Sequence, residues 1–528
     1  MLLKIFVHYL EDSPKFWPKL VQVCRNWRQI VFSSPRSLHL QLLCKHGTPV
    51  LKAFDCWPTL PIIVQYGGSS TLDPPAPEDE DNVLAALKQS ERVSSIGLTI
   101  TESILPKLSM IEKPFLELEE LDLLSRDNAQ LALPSIFQWG TRLRSLHLAR
   151  IAMPALSQLS SSTGLVDLQL YDIRSAVSIP PEPFGDALSA MPQLRSLSLH
   201  VSIGLLPFHC FPPSSGKRVV LPALTYLKYQ GTSKHFDPLV AIIDAPRLRD
   251  VDITFFCETT LDAWQFGRFI ERIEMRLSQA DILFSKNFIS IRFSHPDAHP
   301  DAPTRLGIRI PCKHLDLQLS SLAQILNQFS HVSSRIQILS IDMTDSPSRQ
   351  VDVGGEPWLN LIRAFGGVQS FSVAREPATD ILRALCLADG QHPTALPALN
   401  GLRIRKRLTM HGPLWDAIQS FNVSRWLSGT PVLVYSVQYS CHRCNAFFKE
   451  LAPLRFHLKR RHKYRIVCSF CADFEWSDWS DRERHLFQEH LESKHPEVRP
   501  IPERTSSSAY ESLTTVQAPI SRSRDHDP

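Results

Sequence analysis

Between residues 93 and 405, apolar side chains return in one spacing, Φ-x-x-Φ-x-Φ, where Φ is apolar. It reads as Leu118/Leu121/Leu123, Leu143/Leu146/Leu148, Leu165/Leu168/Leu170, Leu194/Leu197/Leu199, Leu224/Leu227/Tyr229 and Leu248/Val251/Ile253. Looser copies follow at Phe288/Ile291/Phe293, Cys312/Leu315/Leu317, Ile336/Leu339/Ile341, Val368/Phe371/Val373 and Leu399/Leu402/Ile404, and Val93/Ile96/Leu98 opens the series. Steps run from 22 to 32 residues, with one of 40 between Leu248 and Phe288. The last three residues of each unit alternate in and out as a short strand does. The segments between, such as Pro154–Ser160 and Phe184–Met191, carry helix-like spacing. A strand and a returning segment every 20 to 30 residues or so mark a leucine-rich-repeat solenoid. One unit cannot bury its apolar face alone, so the units must stack. The pattern therefore predicts an α/β fold with an irregular leucine-rich-repeat-like solenoid over residues 93–405. It is irregular because Arg126, Ile151, Ile173 and Ser202 stand where Asn or Cys would build a side-chain ladder.

The flanks read differently. Residues 1–45 predict a cap of short helices. Leu2, Leu3, Phe6 and Leu10 form one apolar stripe, and Asp12-Ser13-Pro14 breaks it. Leu20, Val23, Cys24, Trp27 and Val31 form a second stripe with Arg25 and Arg28 outside, ended by Ser33-Ser34-Pro35. Such helices would seal the open end of a repeat array. Residues 46–92 read as a connector holding an acidic, proline-rich linker at 73–82, solvated by composition. Residues 406–436 form a second connector, 437–495 a Cys/His-rich module, and 496–528 a Ser, Thr, Arg and Pro tail expected to be disordered.

At 528 residues, 43% apolar and 21% charged, the chain has material for an extensive core. A net charge of +4 makes no global case for nucleic acid. Seven of the eleven cysteines (24, 44, 56, 210, 257, 312 and 386) are scattered, as expected of small buried hydrophobes in a reducing compartment. No signal peptide and no apolar run long enough for a membrane helix is read. Nucleus or cytoplasm is the expected location.

The other four cysteines carry specific chemistry. Cys441-x2-Cys444-x12-His457-x4-His462 places two thiolates on a tight turn and two imidazoles one helical turn apart, a closed tetrahedral set suited to structural Zn²⁺. Tyr439, Phe448 and Leu454 stand where a ββα finger keeps its small core. Cys468-x2-Cys471-x13-His485-x4-His490 repeats the motif less regularly. Ile466, Glu475 and Arg482 replace its core residues, Phe474, Trp476 and Trp479 offer a shifted core, and His495 competes with His490 as fourth ligand. Base-reading positions counted back from His457 hold Glu450, Pro453 and Phe456, none of which makes a bidentate base pairing. The run Lys459–Arg465 suits non-specific phosphate contact or a solvated helix end. No nucleophile elbow, phosphate loop or His-Glu-x-x-His is present, and four protein ligands per zinc leave no open position. The chain is therefore expected to be no enzyme. The prolines of His295-Pro-Asp-Ala-His-Pro-Asp301 mark an exposed loop.

Leu2-Leu3-x-Ile5-Phe6, followed by Val23-Cys24-Arg25-x-Trp27-Arg28 and Ser34-Pro35, resembles an F-box, and more narrowly the F-box proteins expanded in mushroom-forming fungi. Three later segments look similar to members of that family: Leu239–Pro246 with Ile253–Phe256, Cys312–Gln324, and Trp358–Phe365. The resemblance covers about residues 1–405. It implies a substrate receptor of a Skp–cullin–RING ubiquitin ligase, with Leu2, Leu3, Ile5, Phe6, Val23, Cys24 and Trp27 lining or supporting the surface for the Skp-type adaptor. The family's opening Leu-Pro-x-Glu is missing because Met1 falls inside the first helix, so the box reads as truncated and adaptor docking as weakened. A zinc-finger regulator of nucleic acid, with a protein-binding amino-terminal region, is the competing reading.

Overall fold

The computed structural model describes most of residues 2–436. Segments 46–53, 55–59, 67–76, 127–141, 152–161, 173–180, 202–217, 257–262, 296–303, 345–353 and 389–394, and some shorter ones, lie outside the described residues. Beyond 436 only short stretches between 439 and 517 are described. The chain divides into two compact units, Met1–Val251 and Asp252–Pro528.

The first unit opens with three helices, Leu2–Glu11, Trp17–Val23 and Arg25–Ser33. Phe6, Leu10, Trp17, Leu20, Val21 and Val31 form their core, with the Phe6 ring edge-on to Trp27 at 4.7 Å. The second apolar stripe is not continuous. Cys24 is extended and caps the third helix, its Sγ accepting from the Trp27 N–H at 3.4 Å, which leaves Val23 and Cys24 exposed. Nor does Arg28 simply face outward, since its Nε donates to the Val21 carbonyl at 2.9 Å.

A parallel ladder follows: β1 (Leu42–Lys45), β2 (Ile62–Tyr66), β3 (Val93–Ile100), β4 (Glu120–Ser125), β5 (Ser145–Ala149), β6 (Asp167–Tyr171) and β7 (Ser196–His200). The short β8 (Val219–Val220) and β10 (Ile243–Asp244) pair beside it, while β9 (Tyr226–Gly231) and β11 (Asp250–Phe255) continue it. The ladder thus begins fifty residues before the first unit the pattern predicts. The acidic linker is a further correction: Pro77–Leu87 is helical, with Asp79 and Glu80 buried. Val83, Ala86 and Leu87 seat this helix against β1 and β2, drawing its acidic first turn inward, where Lys107 Nζ meets Glu80 Oε2 at 2.6 Å.

A backbone device replaces the missing side-chain ladder. In the units that start at Leu118, Leu143, Leu165, Leu194 and Leu224, the residue after the first apolar position gives its carbonyl to two N–H groups of the next unit. Glu119 O takes Arg144 and Ser145, Arg144 O takes Val166 and Asp167, Val166 O takes Arg195 and Ser196, and Arg195 O takes Thr225 and Tyr226. Each bond contributes about 1 kcal/mol, and left unmade inside the stack would cost more. Proline turns set up several of these starts: the N–H groups of Leu194, Leu224 and Leu248 reach back to Met191, Leu221 and Ala245, each with proline next in the turn.

The second unit has strand order β14–β13–β12–β15–β16–β17–β19. Its strands are β12 (Gln279–Phe284), β13 (Phe288–Ser294), β14 (Arg305–Pro311), β15 (Ile338–Met343), β16 (Ser370–Val373), β17 (Gly401–Ile404) and β19 (Leu433–Ser436), with β18 (Leu408–Thr409) outside this sheet. The carbonyl device recurs, Ser278 O taking Gln337 and Ile338, Gln337 O taking Gln369 and Ser370, and Gln369 O taking Asn400 and Gly401. Two expectations fail here. Phe288/Ile291/Phe293 is a strand, but it runs antiparallel to both neighbours in a meander. Cys312/Leu315/Leu317 is no strand: helix Leu315–Gln328 starts there, burying Leu315, Leu319, Leu322, Ile325 and Leu326 and exposing Leu317. Buried Gln318 anchors that start by donating to the Cys312 and Ser285 carbonyls at 2.6 and 2.8 Å. Helices Leu315–Gln328, Gly355–Arg363, Arg375–Ala388 and Pro413–Leu427 pack side by side. The last of these and β19 lie within the predicted second connector, so repeat-like structure reaches residue 436.

Candidate functional site

In both ladders buried strand residues alternate with ones that are mostly wholly or partly exposed, Ala149, Ser198 and Ser340 being buried exceptions, so each sheet has one face that is largely polar and open. Across the first unit the register aligns Asp122, His147, Gln169, Ser198 and Lys228 in one row. A second row brings Tyr171 beside His200. His147 Nδ1 lies 2.8 Å from Asp122 Oδ1, and the Tyr171 ring stands edge-on to His147 at 5.1 Å and to His200 at 6.2 Å. Burial holds the His200 imidazole below its ordinary value, Asp172 pulls it back up, and Lys228 pushes it down. Arg150 and Asp172, each just past the end of its strand, share the left-handed backbone at φ 57° and 51° and pair at 3.1 Å. These rows combine acceptors, donors and aromatic edges with no nucleophile set against a base, which suits docking of a polypeptide. The pattern reading missed them because it followed the buried positions. The signal lay in the residues between, such as the His of Leu146-His147-Leu148.

The second unit's face is tied by Arg405. Its guanidinium donates to Ser372 Oγ at 3.0 Å, to Asp342 Oδ2 at 2.9 Å and to Ser340 Oγ, crossing three strands.

The seven residues assigned to adaptor binding separate. Ile5 (54% exposed), Val23 (59%) and Cys24 face solvent, whereas Leu2, Leu3 and Trp27 are half-buried. Phe6 is core and presents no surface for a partner to touch. Tyr9, not foreseen, stands exposed one turn beyond Ile5 on the same helix face.

Around the Cys/His motifs, Tyr439–Ser440 pairs antiparallel with Phe447–Phe448, and Arg465–Cys468 with Glu475–Trp476. These strand pairs flank the two Cys-x-x-Cys motifs in sequence, while His457 and His490 are helical. Hairpin then helix is the backbone order that a Cys₂His₂ set needs. Cys441, Cys444, His462, Cys471 and His485 lie outside the described residues. Thr514–Gln517, within the tail expected to be disordered, pairs with Arg465–Cys468.

Stacked parallel strands carrying Leu-x-x-Leu-x-Leu units define a leucine-rich-repeat-like α/β protein. No protein-family model and no curated protein matches the chain. Among solved structures it is similar to an internalin (InlF) of Listeria monocytogenes, at TM-score 0.26 and 16% identity over 60% of this chain and 76% of that one. It is also similar to the leucine-rich-repeat-containing protein LegL7 of Legionella pneumophila, at TM-score 0.26 and 11% identity over 72% of this chain and 97% of that one. Among the described residues no helix is long and apolar enough to cross a membrane.

Proposed function

We propose that this protein is a non-catalytic interaction scaffold: an F-box-type substrate receptor whose amino-terminal helices dock a Skp-type adaptor while the open strand faces hold a protein substrate. One observation carries the reading. The three-helix unit has its own core around Phe6 and Trp27, yet leaves Ile5, Tyr9 and Val23 exposed on a short helical unit, and a cluster of exposed apolar side chains is what marks a docking surface. In the same proposal Cys441, Cys444, His457 and His462 hold one Zn²⁺, and Cys468, Cys471, His485 and His490 a second, each fastening its hairpin to the following helix and supplying no reaction. The test is capture of purified Skp-type adaptor by the full chain, compared with an Ile5→Asp/Val23→Asp variant. Capture that the variant loses is expected. Failure of the intact chain to bind, also when extended upstream of Met1, removes the ligase role.

A further inference from the structure

The leading edge of the first unit's sheet, where the strands begin, carries a charge pattern that the open face does not. There the residues that follow the first apolar position of successive units run Glu119, Arg144, Val166, Arg195, Thr225 and Arg249. The carbonyls of the first five accept N–H groups of the next unit, and the Arg249 N–H is bonded to the Thr225 carbonyl, so the backbone bearing these side chains is fixed. Arg144, Arg195 and Arg249 are exposed, and none makes a side-chain hydrogen bond or ion pair with a described residue. Arg142, close by, is spent on Glu117. Guanidinium groups thus occur on alternate strands, with the uncharged Val166 and Thr225 between them.

We infer that this ridge docks an acidic polypeptide segment in polyproline-II conformation, which names the partner class for the substrate-capturing part of the proposed function and rests on it. The spacing selects the conformation. Alternate strands of a sheet lie ~9.6 Å apart. A polyproline-II helix advances ~9.3 Å per three-residue turn, so acidic residues at every third position share one face and meet Arg144, Arg195 and Arg249 in register. Pyrrolidine rings would lie over Val166 and Thr225.

The ground between the first two arginines fits the same ligand. Arg144 and Arg195 flank a depression of about 360 Å³ lined also by Ser145, Val166, Asp167 and Gln193. Asp167 is held in its floor, Oδ2 accepting from Gln169 Nε2 at 2.6 Å and Oδ1 buried. Two guanidinium groups against one carboxylate leave a single positive charge, matched to one side-chain carboxylate rather than to a dianionic phosphate. Gln193 adds an amide for a peptide carbonyl, which in polyproline II is free of internal bonds.

Fluorescence anisotropy with the full chain tests this, using labelled peptides of four Pro-Pro-Glu repeats, four Pro-Pro-Gln repeats, and the first composition with its glutamates adjacent. The expected result is that the first binds best, that the second is about tenfold weaker, and that an Arg144→Gln/Arg195→Gln/Arg249→Gln variant loses the same factor with an unchanged melting curve. Replacing the three arginines with glutamate should transfer preference to a Pro-Pro-Lys peptide, a gain that misfolding does not mimic. Absence of binding, equal binding by the glutamine variant, equal binding of the clustered peptide, or tighter binding of a mixed-sequence oligonucleotide would each overturn the assignment. The readout needs no adaptor, so a chain that binds the peptide but captures no adaptor removes the ligase role and leaves the ridge standing.

Discussion

Two neighbouring glycines measure how closely the repeats are stacked. Gly366 and Gly367 join helix Gly355–Arg363 to β16, and neither has the positive φ that disfavours other residues. A methyl group on Gly366 would meet nothing within 4 Å, whereas on Gly367 it would fall 2.1 Å from the Ser334 carbonyl oxygen and 3.3 Å from that of Ile336. Both oxygens belong to backbone at the preceding unit's turn, so relief requires moving one unit against the next. Gly366→Ala should gain about 0.4–1 kcal/mol, because alanine restricts the unfolded chain. Gly367→Ala receives the same gain and loses an overpacking cost of about 1–3 kcal/mol or more, since a rigid main chain is what must shift. The adjacent variants should therefore differ by about 1–3 kcal/mol, with opposite signs relative to the parent. Urea titration followed by tryptophan fluorescence suits the comparison, because Trp358 is fully buried against Phe284 at 5.2 Å within this unit. Equal midpoints for the two variants would mean that the units are not in contact at this turn, and the stacking account of the second unit would be wrong.

Three further outcomes follow from single environments. Burial lowers the His200, His235 and His331 imidazoles, so the folded state resists a proton that the unfolded chain accepts near its ordinary value of 6.5. Stability is then full above pH ~6.5 and falls as pH drops through the window below it; melting temperatures between pH about 7.5 and 5.5 should show the fall, and replacing the three with glutamine should flatten it. Burial, with Asp79 adding to it, pushes the Cys44 thiol up to about 12, while Cys24 is exposed. Iodoacetamide mapped by mass spectrometry should label Cys24 in the native protein and Cys44 only after unfolding. Zinc analysis should find about two equivalents per chain, with Cys441→Ser and Cys468→Ser each losing one, and chelation should expose residues 437–495 to protease; a metal-free chain with an unchanged digest would refute the tetrahedral sets.

What could be read from the pattern was whatever buries leucine at a fixed interval. In eleven of the twelve repeat triplets the second and third residues lie on a strand, because an apolar residue at every second place leaves a strand little other way to sit. Leu277/Ala280/Ile282 escaped, since alanine at its centre weakens the apolar signal, yet β12 uses it like the others, all three being buried. Leu315-Asp-Leu-Gln-Leu319 imitates a strand over five residues, and only the burial of Leu322, Ile325 and Leu326 beyond it reveals the helical period. Composition misled at Asp79 and Glu80, where four acidic residues in a row outweighed the stripe of Val83, Ala86 and Leu87 that decides the packing. At the candidate site, Ile5 and Val23 were legible only as members of the F-box-like set; that Val23 leaves its apolar stripe for solvent was not, because the break at Cys24 carries no proline or glycine to mark it. The histidine–tyrosine rows and the arginine edge were not, because they arise from register between strands 22 to 30 residues apart.

The same register explains how so uneven a repeat stacks at all. A side-chain ladder of asparagines demands one residue type at one place in every unit, and this chain lacks it. A carbonyl that accepts two N–H groups demands none, since any residue supplies the oxygen; Glu119, Arg144, Val166, Arg195, Gln337 and Gln369 all serve. Repeat length and turn composition are then free to vary, provided that the apolar triplet keeps its spacing. That freedom has a consequence for recognition. The backbone of those residues does the structural work, so their side chains are released from it, and the leading edge can be charged, apolar or neutral from strand to strand without loss of stacking. Arginine on alternate strands is therefore not a requirement of the fold, which is the physical ground for assigning it to a partner.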